Sequence, residues 1–102
     1  MAGTSIIAKR LQQARERAGI SSQAKVGLLA RLQVSSVSPR MNQYFKSKHA
    51  PKLSTMVLIA AGLKTPLPYF YCEDDALADL ILKFGTLDET QKKQLLDFVD
   101  KL

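Results

Sequence analysis

The chain has 102 residues, 46% of them hydrophobic, and a formal net charge of +6, which fits one globular domain with its own core and excludes a wholly disordered chain. The single cysteine excludes an internal disulfide, no Cys/His cluster has the spacing of metal ligands, and no apolar run approaches the ~20 residues of a membrane span. The first residues also lack the basic start and apolar run of a signal peptide, so we expect a soluble, cytoplasmic protein without metal or cofactor.

A first helix is predicted between Ser5, which can cap it, and Gly19, which can end it in the left-handed conformation. Its apolar residues recur at the helical period. They are Ile7, Leu11, Ala14 and Ala18. Polar residues, Arg10 among them, cover the remaining face, so we expect one side of this helix in the core and the other side in solvent.

Ser22 can cap a second helix, and Gly27 inside it predicts a close crossing by another helix, because glycine there costs roughly 1 kcal/mol against alanine. The serine-rich residues 33–38 predict a loop. A short third helix is expected over residues 39–46, with Ser38 as its cap and Pro39 at its first position, where no N–H is needed. Two short helices, a connection and a third helix are the order of a DNA-binding helix-turn-helix.

A fourth helix is predicted over residues 55–63, with Ser54 as its cap and Leu53 placed to pack on Leu58. Because this segment is apolar on nearly every side, we expect it to be the buried centre of a small bundle. Residues 65–68 end the helix. The aromatic turn at residues 69–72 is expected to close the core, and a platform for stacking single-stranded nucleic acid is the alternative interpretation.

Two further helices are predicted in the C-terminal third. Asp74 and Asp75 favour the start of a fifth helix, and Gly85 ends it. Asp88 and Gln91 form a capping box for a last helix, whose apolar residues include Leu95, Val99 and Leu102. Since no segment alternates with period two, the sequence predicts an all-α bundle of five or six helices, with a helix-turn-helix domain over residues 1–72 and a helical extension over residues 73–102.

The charges are divided unevenly between the two halves. Residues 1–55 carry ten bases and one acid, a net charge of +9, whereas residues 56–102 carry five bases and eight acids, a net charge of −3. This asymmetry predicts that one face binds a polyanion such as nucleic acid. The alternative is that the basic surface only keeps the protein in solution.

The third helix carries side chains that can read base edges. If Met41 and Tyr44 point inward, polar residues remain on its outer side. They are Arg40, Asn42, Gln43 and Lys46. Arginine pairs with guanine, and asparagine or glutamine pairs with adenine, in the major groove. Lys48 and His49 follow where phosphates would lie. From the residues alone, these polar side chains could equally well only solvate an exposed helix.

The segment from residue 6 to residue 79 resembles the lambda-repressor-like (Xre/Cro-type) helix-turn-helix family. The family pattern is matched in order by five short stretches of this sequence. They are Arg10-Leu11 with Ala14-Arg15, Gly19-Ile20-Ser21-Ser22-Gln23, Arg40-Met41-Asn42-Gln43-Tyr44, Lys48-His49-Ala50-Pro51, and the turn from Pro66 to Tyr71. The order and spacing of these pieces together carry the resemblance.

The resemblance implies roles for individual residues. Gln23 would bond both a phosphate and the recognition helix. Bases or nearby phosphates would be contacted by Ser38, Arg40, Asn42 and Gln43, while Lys46 and Lys48 would hold the backbone. The sequence departs from the family in a connection before Tyr44 that is about four residues longer. It also has Phe45 and Ser47 where the family usually has glutamate and glycine.

The leading hypothesis is therefore a transcription regulator that binds double-stranded DNA in a sequence-specific way. We expect it to act as a repressor. The alternative is a protein-interaction module, such as an antitoxin whose C-terminal helices bind a partner. The closing apolar stripe predicts a homodimer through these helices, or it folds back on the bundle. No enzyme activity and no small-molecule ligand are expected, because the only histidine, His49, lacks an acid or nucleophile partner.

Overall fold

The computed structural model describes the backbone of residues 2–31 and 34–102 and the side chains of residues 6–31 and 39–102. Within these described residues, six α-helices and one 3-10 turn follow one another. They are α1 (Ala2–Arg17), α2 (Gln23–Leu29), α3 (Val34–Phe45), α4 (Leu53–Gly62), the 3-10 turn (Leu67–Tyr71), α5 (Asp75–Gly85) and α6 (Glu89–Asp100). The described residues contain no strand, which confirms the predicted all-α fold.

The first helix contributes the predicted stripe to the core. Ile7, Leu11 and Ala14 are buried, whereas the last member of the stripe, Ala18, is exposed. Gly19 ends the helix with a φ of 71°, the left-handed conformation that was predicted. The predicted start was wrong, because α1 begins at Ala2 and the proposed capping residue Ser5 lies inside the helix.

Helices α2 and α4 pack closely enough to require a glycine. The start of α2 follows the prediction, since the Ser22 side chain accepts a hydrogen bond from the Lys25 N–H at 3.3 Å. The close approach involves Gly62 of α4, where a Cβ atom would lie 2.8 Å from the Leu29 carbonyl carbon. Gly27, which the sequence suggested for a helix crossing, is buried within α2.

Helix α3 is longer than predicted. It begins at Val34, so the loop predicted over residues 33–38 is wrong for residues 34–38, while residue 33 lies outside the described residues. Pro39 lies inside the helix and not at its first position, although it cannot donate to the carbonyl of Ser35. Only residues 30–33 separate α2 from α3, a usual length for a helix-turn-helix. The additional residues therefore lengthen the helix and not the connection.

Helix α4 is buried on one side only. Met56, Ile59 and Ala60 are in the core, but Val57 and Leu58 are exposed, so the prediction of a fully buried central helix was wrong. A small bundle does not have enough helices to surround α4 on every side. The helix begins at Leu53 without a side-chain cap, so the predicted capping role of Ser54 was wrong as well.

The aromatic turn closes the core beneath α1, as expected. Tyr69 and Phe70 are buried with their rings edge to face at a centroid distance of 5.4 Å, whereas Tyr71 is exposed. The Tyr69 hydroxyl donates to Gln13 Oε1 at 2.9 Å. Half-buried Cys72 packs against this core. The aromatic turn is therefore structural, with its polar atom satisfied by a side chain of α1.

Arg10 is a structural residue, although the sequence placed it on the solvent face of α1. Its side chain is only 2% exposed. Nε and Nη2 donate to the Cys72 carbonyl at 2.9 and 2.7 Å, and Nη1 donates to Gln13 Oε1 at 2.9 Å. Nη2 also lies 3.0 Å from Asp75 Oδ1. Arg10 thereby ties α1 to the start of α5, through partners that lie more than sixty residues away in sequence.

Asp75 also forms an ion pair with Lys9 on the surface. Lys9 Nζ donates to its Oδ1 at 3.1 Å, and this hydrogen bond, followed by that of Arg10, holds the pKa of Asp75 below its usual value of 3.8. Because the folded state favours the charged form of Asp75, the hydrogen bonds from Lys9 and Arg10 contribute to stability at neutral pH. This contribution is lost as the pH falls through the lowered pKa of Asp75.

The last two helices form a C-terminal hairpin (residues 75–100) that buries little of its own surface. Its caps follow the prediction: Asp74 accepts from the Leu77 N–H at 2.9 Å, and Asp88 and Gln91 form a capping box. Gly85 ends α5 as expected. Among the residues of the hairpin, only Ala78 is buried. The molecule measures 50 × 27 × 23 Å, an elongated shape that fits a compact bundle with a projecting hairpin.

Candidate nucleic-acid interface

Helix α3 has one buried side and one polar side, as the sequence predicted. Met41 and Tyr44 are buried in the core. Arg40, Asn42 and Lys46 are exposed, the last of them directly after the helix ends. Because the inner side chains fix the helix against α1 and α2, the outer side chains are held in a defined orientation toward solvent.

The exposed residues of α3 do not all share one direction. Successive residues of a helix are rotated by about 100°, so Arg40 and Asn42 lie on opposite flanks of the outer side. Gln43, which is half-buried, lies between these two flanks. Arg40 is also in the second turn of a helix that begins at Val34, and not at the second position of a shorter helix. A DNA duplex on this side would therefore meet Arg40 and Asn42 at different places.

Helix α2 brings a further amide and a base to the same part of the molecule. Gln23 is its first residue and is half-buried. Lys25 on α2 and Arg31 in the following turn are both exposed. The backbone of Ser38 is helical, whereas its side chain lies outside the described residues.

The connection after α3 presents two further lysines besides Lys46. Ser47 adopts the left-handed conformation with a φ of 61°, at a position where the family that the sequence resembles usually has glycine. This conformation lets the Lys48 N–H donate to the Gln43 carbonyl at 2.9 Å. Phe45 packs against the core with the Arg15 guanidinium 5.8 Å from its ring, so it is a packing residue. Lys48 and Lys52 stay exposed.

The structure divides the bases of the N-terminal half into two groups. The bases of α1 have partners within the chain: Lys9 pairs with Asp75, Arg10 is buried, Arg15 donates to the carbonyls of Ile20 and Ser21 at 3.1 Å, and Arg17 lies over the Tyr69 ring. The exposed bases of α2, α3 and the adjoining turns form the second group, which we call the basic surface. Its members are Lys25, Arg31, Arg40, Lys46, Lys48 and Lys52.

Sequence reasoning identified three of these bases and missed Lys25, Arg31 and Lys52. The total charge was visible in the sequence, but the sequence could not show which bases have partners inside the protein. Those partners, such as the Cys72 carbonyl for Arg10, come from distant parts of the chain. Exposure in the folded molecule is therefore the signal that identifies the basic surface.

The described part of the chain offers neither a metal site nor a membrane-spanning helix. No group of three or more His, Cys, Asp or Glu side chains in that part is arranged to hold a metal ion. No described helix is long and apolar enough to cross a membrane.

The chain shares its fold and much of its sequence with a solved transcriptional regulator. That protein, BswR, superposes with a TM-score of 0.83 and 42% sequence identity over 93% of each chain. The chain therefore belongs to the same family of transcriptional regulators as BswR. No protein-family model and no curated protein matches it.

Proposed function

We propose that this regulator binds double-stranded DNA in a sequence-specific way through α2 and α3, as a member of the lambda-repressor-like (Xre/Cro-type) group, and that it represses transcription by occupying promoter DNA. In this proposal α3 enters the major groove. Arg40, Asn42 and Gln43 contact base edges, and Gln23 bonds a phosphate at the start of α2. The side chain of Ser38 is expected to point to the same groove.

The observation that carries the proposal is the basic surface itself. Its six exposed bases lie on α2, on α3 and on the turns that follow them, whereas the arginines of α1 are held by partners within the chain. Exposed lysine and arginine side chains can neutralise phosphates, and the polar side chains of α3 can read bases. Lys46 and Lys48, beyond the end of α3, suit phosphates better than bases because lysine is a flexible point charge.

The proposal includes a homodimer held together by the C-terminal hairpin. One short recognition helix reads only a few base pairs, and related proteins bind two half-sites about 34–36 Å apart. The large exposed apolar residues of α6 support such an association, because contiguous exposed apolar side chains mark protein–protein contact sites.

A second candidate function is favoured by the same exposed apolar residues. A protein-interaction module, such as an antitoxin, would use the hairpin to bind a different protein and would bind DNA only secondarily. The two candidates differ in what covers the hairpin when DNA is absent. A homodimer in solution favours the regulator as proposed, and a monomer that pairs only with another protein favours the module.

Selection from a random duplex pool tests the proposed function. We expect the full chain to enrich one sequence family, with the selected duplex bound about 10³-fold or more tighter than a scrambled duplex. A variant with Lys46 and Lys48 both changed to alanine should bind both duplexes more weakly, because it lacks two phosphate contacts. Failure to enrich any sequence would contradict the proposal.

A further inference from the structure

One arginine of α1 contacts the chain just before α2 and again at the end of α3. Arg15 Nη1 donates to the carbonyls of Ile20 and Ser21, each at 3.1 Å, in the turn that leads into α2. Its guanidinium carbon lies 5.8 Å from the centre of the ring of Phe45, which is the last residue of α3. A single side chain therefore joins the start of α2 to the end of α3.

The two helix ends that Arg15 joins carry residues for which we propose phosphate contacts. Gln23 is the first residue of α2, and Lys46 and Lys48 follow directly after α3. Phosphate contacts fix the register of a protein on a duplex. The spacing between these two ends therefore decides whether both can bind phosphates while α3 reads bases. A side chain that fixes this spacing acts on recognition without touching DNA.

One atom of Arg15 is held at a cost in stability. Its Nε is buried and has no hydrogen-bond acceptor among the described residues. A buried donor without a partner is unfavourable, and such an exception in a folded protein calls for a reason. An apolar side chain of similar length would remove this cost together with the contacts to the two carbonyls. Its effect on the position of the helices should therefore exceed its effect on stability.

Arg17 has similar contacts at a different place. Its guanidinium carbon lies 5.0 Å from the centre of the Tyr69 ring. Nη1 donates to the Tyr69 hydroxyl and Nη2 to the Thr65 hydroxyl, both at 3.4 Å. These partners lie in the 3-10 turn and just before it, and not in α2 or α3. Arg17 is therefore a matched control, because it has the same charge and the same kind of aromatic contact.

We propose that Arg15 is a positioning residue for DNA recognition. By holding the turn before α2 and the Phe45 ring, it sets the spacing of α2 and α3, so that α3 reaches base edges while both helix ends meet phosphates. This inference rests on the proposed function, which gives no role to Arg15, and it names the contact that aligns the two DNA-binding helices.

Methionine substitutions in the full chain test this role on the selected duplex and on a scrambled duplex. Arg15→Met should weaken binding to the selected duplex about tenfold and to the scrambled duplex little, because misaligned helices lose base contacts first. Arg17→Met removes the same charge and should leave the ratio of the two affinities unchanged. Equal losses on both duplexes for Arg15→Met, with the salt slope reduced by about 1, would make Arg15 a phosphate contact and overturn the positioning role.

The aromatic contact is tested by two substitutions of Phe45. Phe45→Leu keeps an apolar side chain and removes the ring, so it should also lower the preference for the selected duplex about tenfold. Phe45→Tyr keeps the ring and should bind like the unchanged chain. Urea unfolding of each variant reports stability separately. The preference should follow the ring and not the unfolding midpoint, and a Phe45→Leu variant with full preference would contradict the role of the ring.

Amide NMR spectra of the free chain separate this inference from the proposed function. Without DNA, Arg15→Met should shift the resonances of Lys25 and Asn42, which lie within α2 and α3. Arg17→Met should leave them in place. If the unchanged chain selects no duplex, these shifts would still support the alignment of α2 and α3 by Arg15, and the proposed function alone would be contradicted. Absent shifts in Arg15→Met, or equal shifts in both variants, would overturn the alignment even in a chain that selects a duplex.

Discussion

The N-terminal head (residues 2–31 and 34–71) and the C-terminal hairpin consist of helices of similar length, but they bury their apolar residues to very different degrees. In the head, leucine, isoleucine and methionine side chains from α1, α3 and α4 fill one core. In the hairpin, only Ala78 is fully buried, and leucines of both helices are half-exposed. The head completes its core within one chain, and the hairpin does not.

This difference indicates that the head and the hairpin have different roles. In the proposed function, α3 must hold its recognition side chains rigidly, and its buried inner side provides that support. The hairpin is attached through Arg10 and Asp75 at its base, while its apolar surface stays available for association. The charges follow the same division, because the basic surface belongs to the head and most acids lie in or near the hairpin.

The largest expected effect is the difference between two leucine-to-alanine substitutions, one in the head and one in the hairpin. Leu11→Ala should lower the free energy of unfolding by about 2–5 kcal/mol, because its side chain is fully buried. Leu96→Ala should change it by only about 0.5 kcal/mol. Urea unfolding at protein concentrations below the dimer dissociation constant measures both values. Equal losses would mean that the hairpin has a core of its own.

The attachment of the hairpin is tested by two adjacent bases that share one carboxylate. Arg10→Ala should cost about 3 kcal/mol, since it leaves the half-buried Cys72 carbonyl without its donors and removes a large packed side chain. Lys9→Ala is the matched control, and we expect a loss of at most about 1 kcal/mol for this exposed ion pair. Thermal unfolding that ranks the two variants equally would contradict a structural role for Arg10.

The roles within the basic surface are tested by Arg40 and Lys48. Arg40→Ala should cost about 1–3 kcal/mol on the selected duplex and little on a scrambled duplex, with relaxed preference at one base position. Lys48→Ala should weaken both duplexes alike and reduce the salt slope by about 1. Titrations of both variants at two salt concentrations separate these roles. Equal losses for Arg40→Ala on both duplexes would make Arg40 a phosphate contact and leave base reading to Gln43.

The smallest expected effect is that of replacing serine by glycine, which we compare at a left-handed position and at a helical position. Ser47→Gly should stabilise the head by about 0.5 kcal/mol, because the left-handed conformation costs a residue with a Cβ atom about 1–2 kcal/mol and glycine gains entropy in the unfolded chain. Ser54→Gly, in the first turn of α4, should destabilise by about 0.5 kcal/mol. Chemical unfolding should therefore give opposite signs, and a destabilised Ser47→Gly would contradict strain at that turn.

Features that depend on neighbouring residues could be predicted from the sequence. The caps at Ser22, Asp74 and Asp88 act over three residues, so their side chains identify the helix starts directly. The inward direction of Met41 and Tyr44 follows from helical spacing, and both are buried. The left-handed end at Gly19 follows from the freedom of glycine.

Features that depend on distant contacts could not be predicted in this way. A serine followed by proline looks the same whether it begins a helix or lies within one, so the start of α3 at Val34 was missed. The uniform apolar sequence of α4 gave no sign that Leu58 would be exposed. Arg10 looked like any other surface base, because its partners Cys72 and Asp75 become neighbours only in the folded chain.

The central claim, that the head reads DNA with its basic surface, is tested most directly by the affinity of the unchanged chain for a selected and a scrambled duplex over a series of salt concentrations. Five or six phosphate contacts predict a slope of about −5 for log affinity against log salt on both duplexes. The selected duplex should remain about 10³-fold or more tighter throughout. A flat salt dependence, or equal affinity for the two duplexes at every salt concentration, would contradict the account.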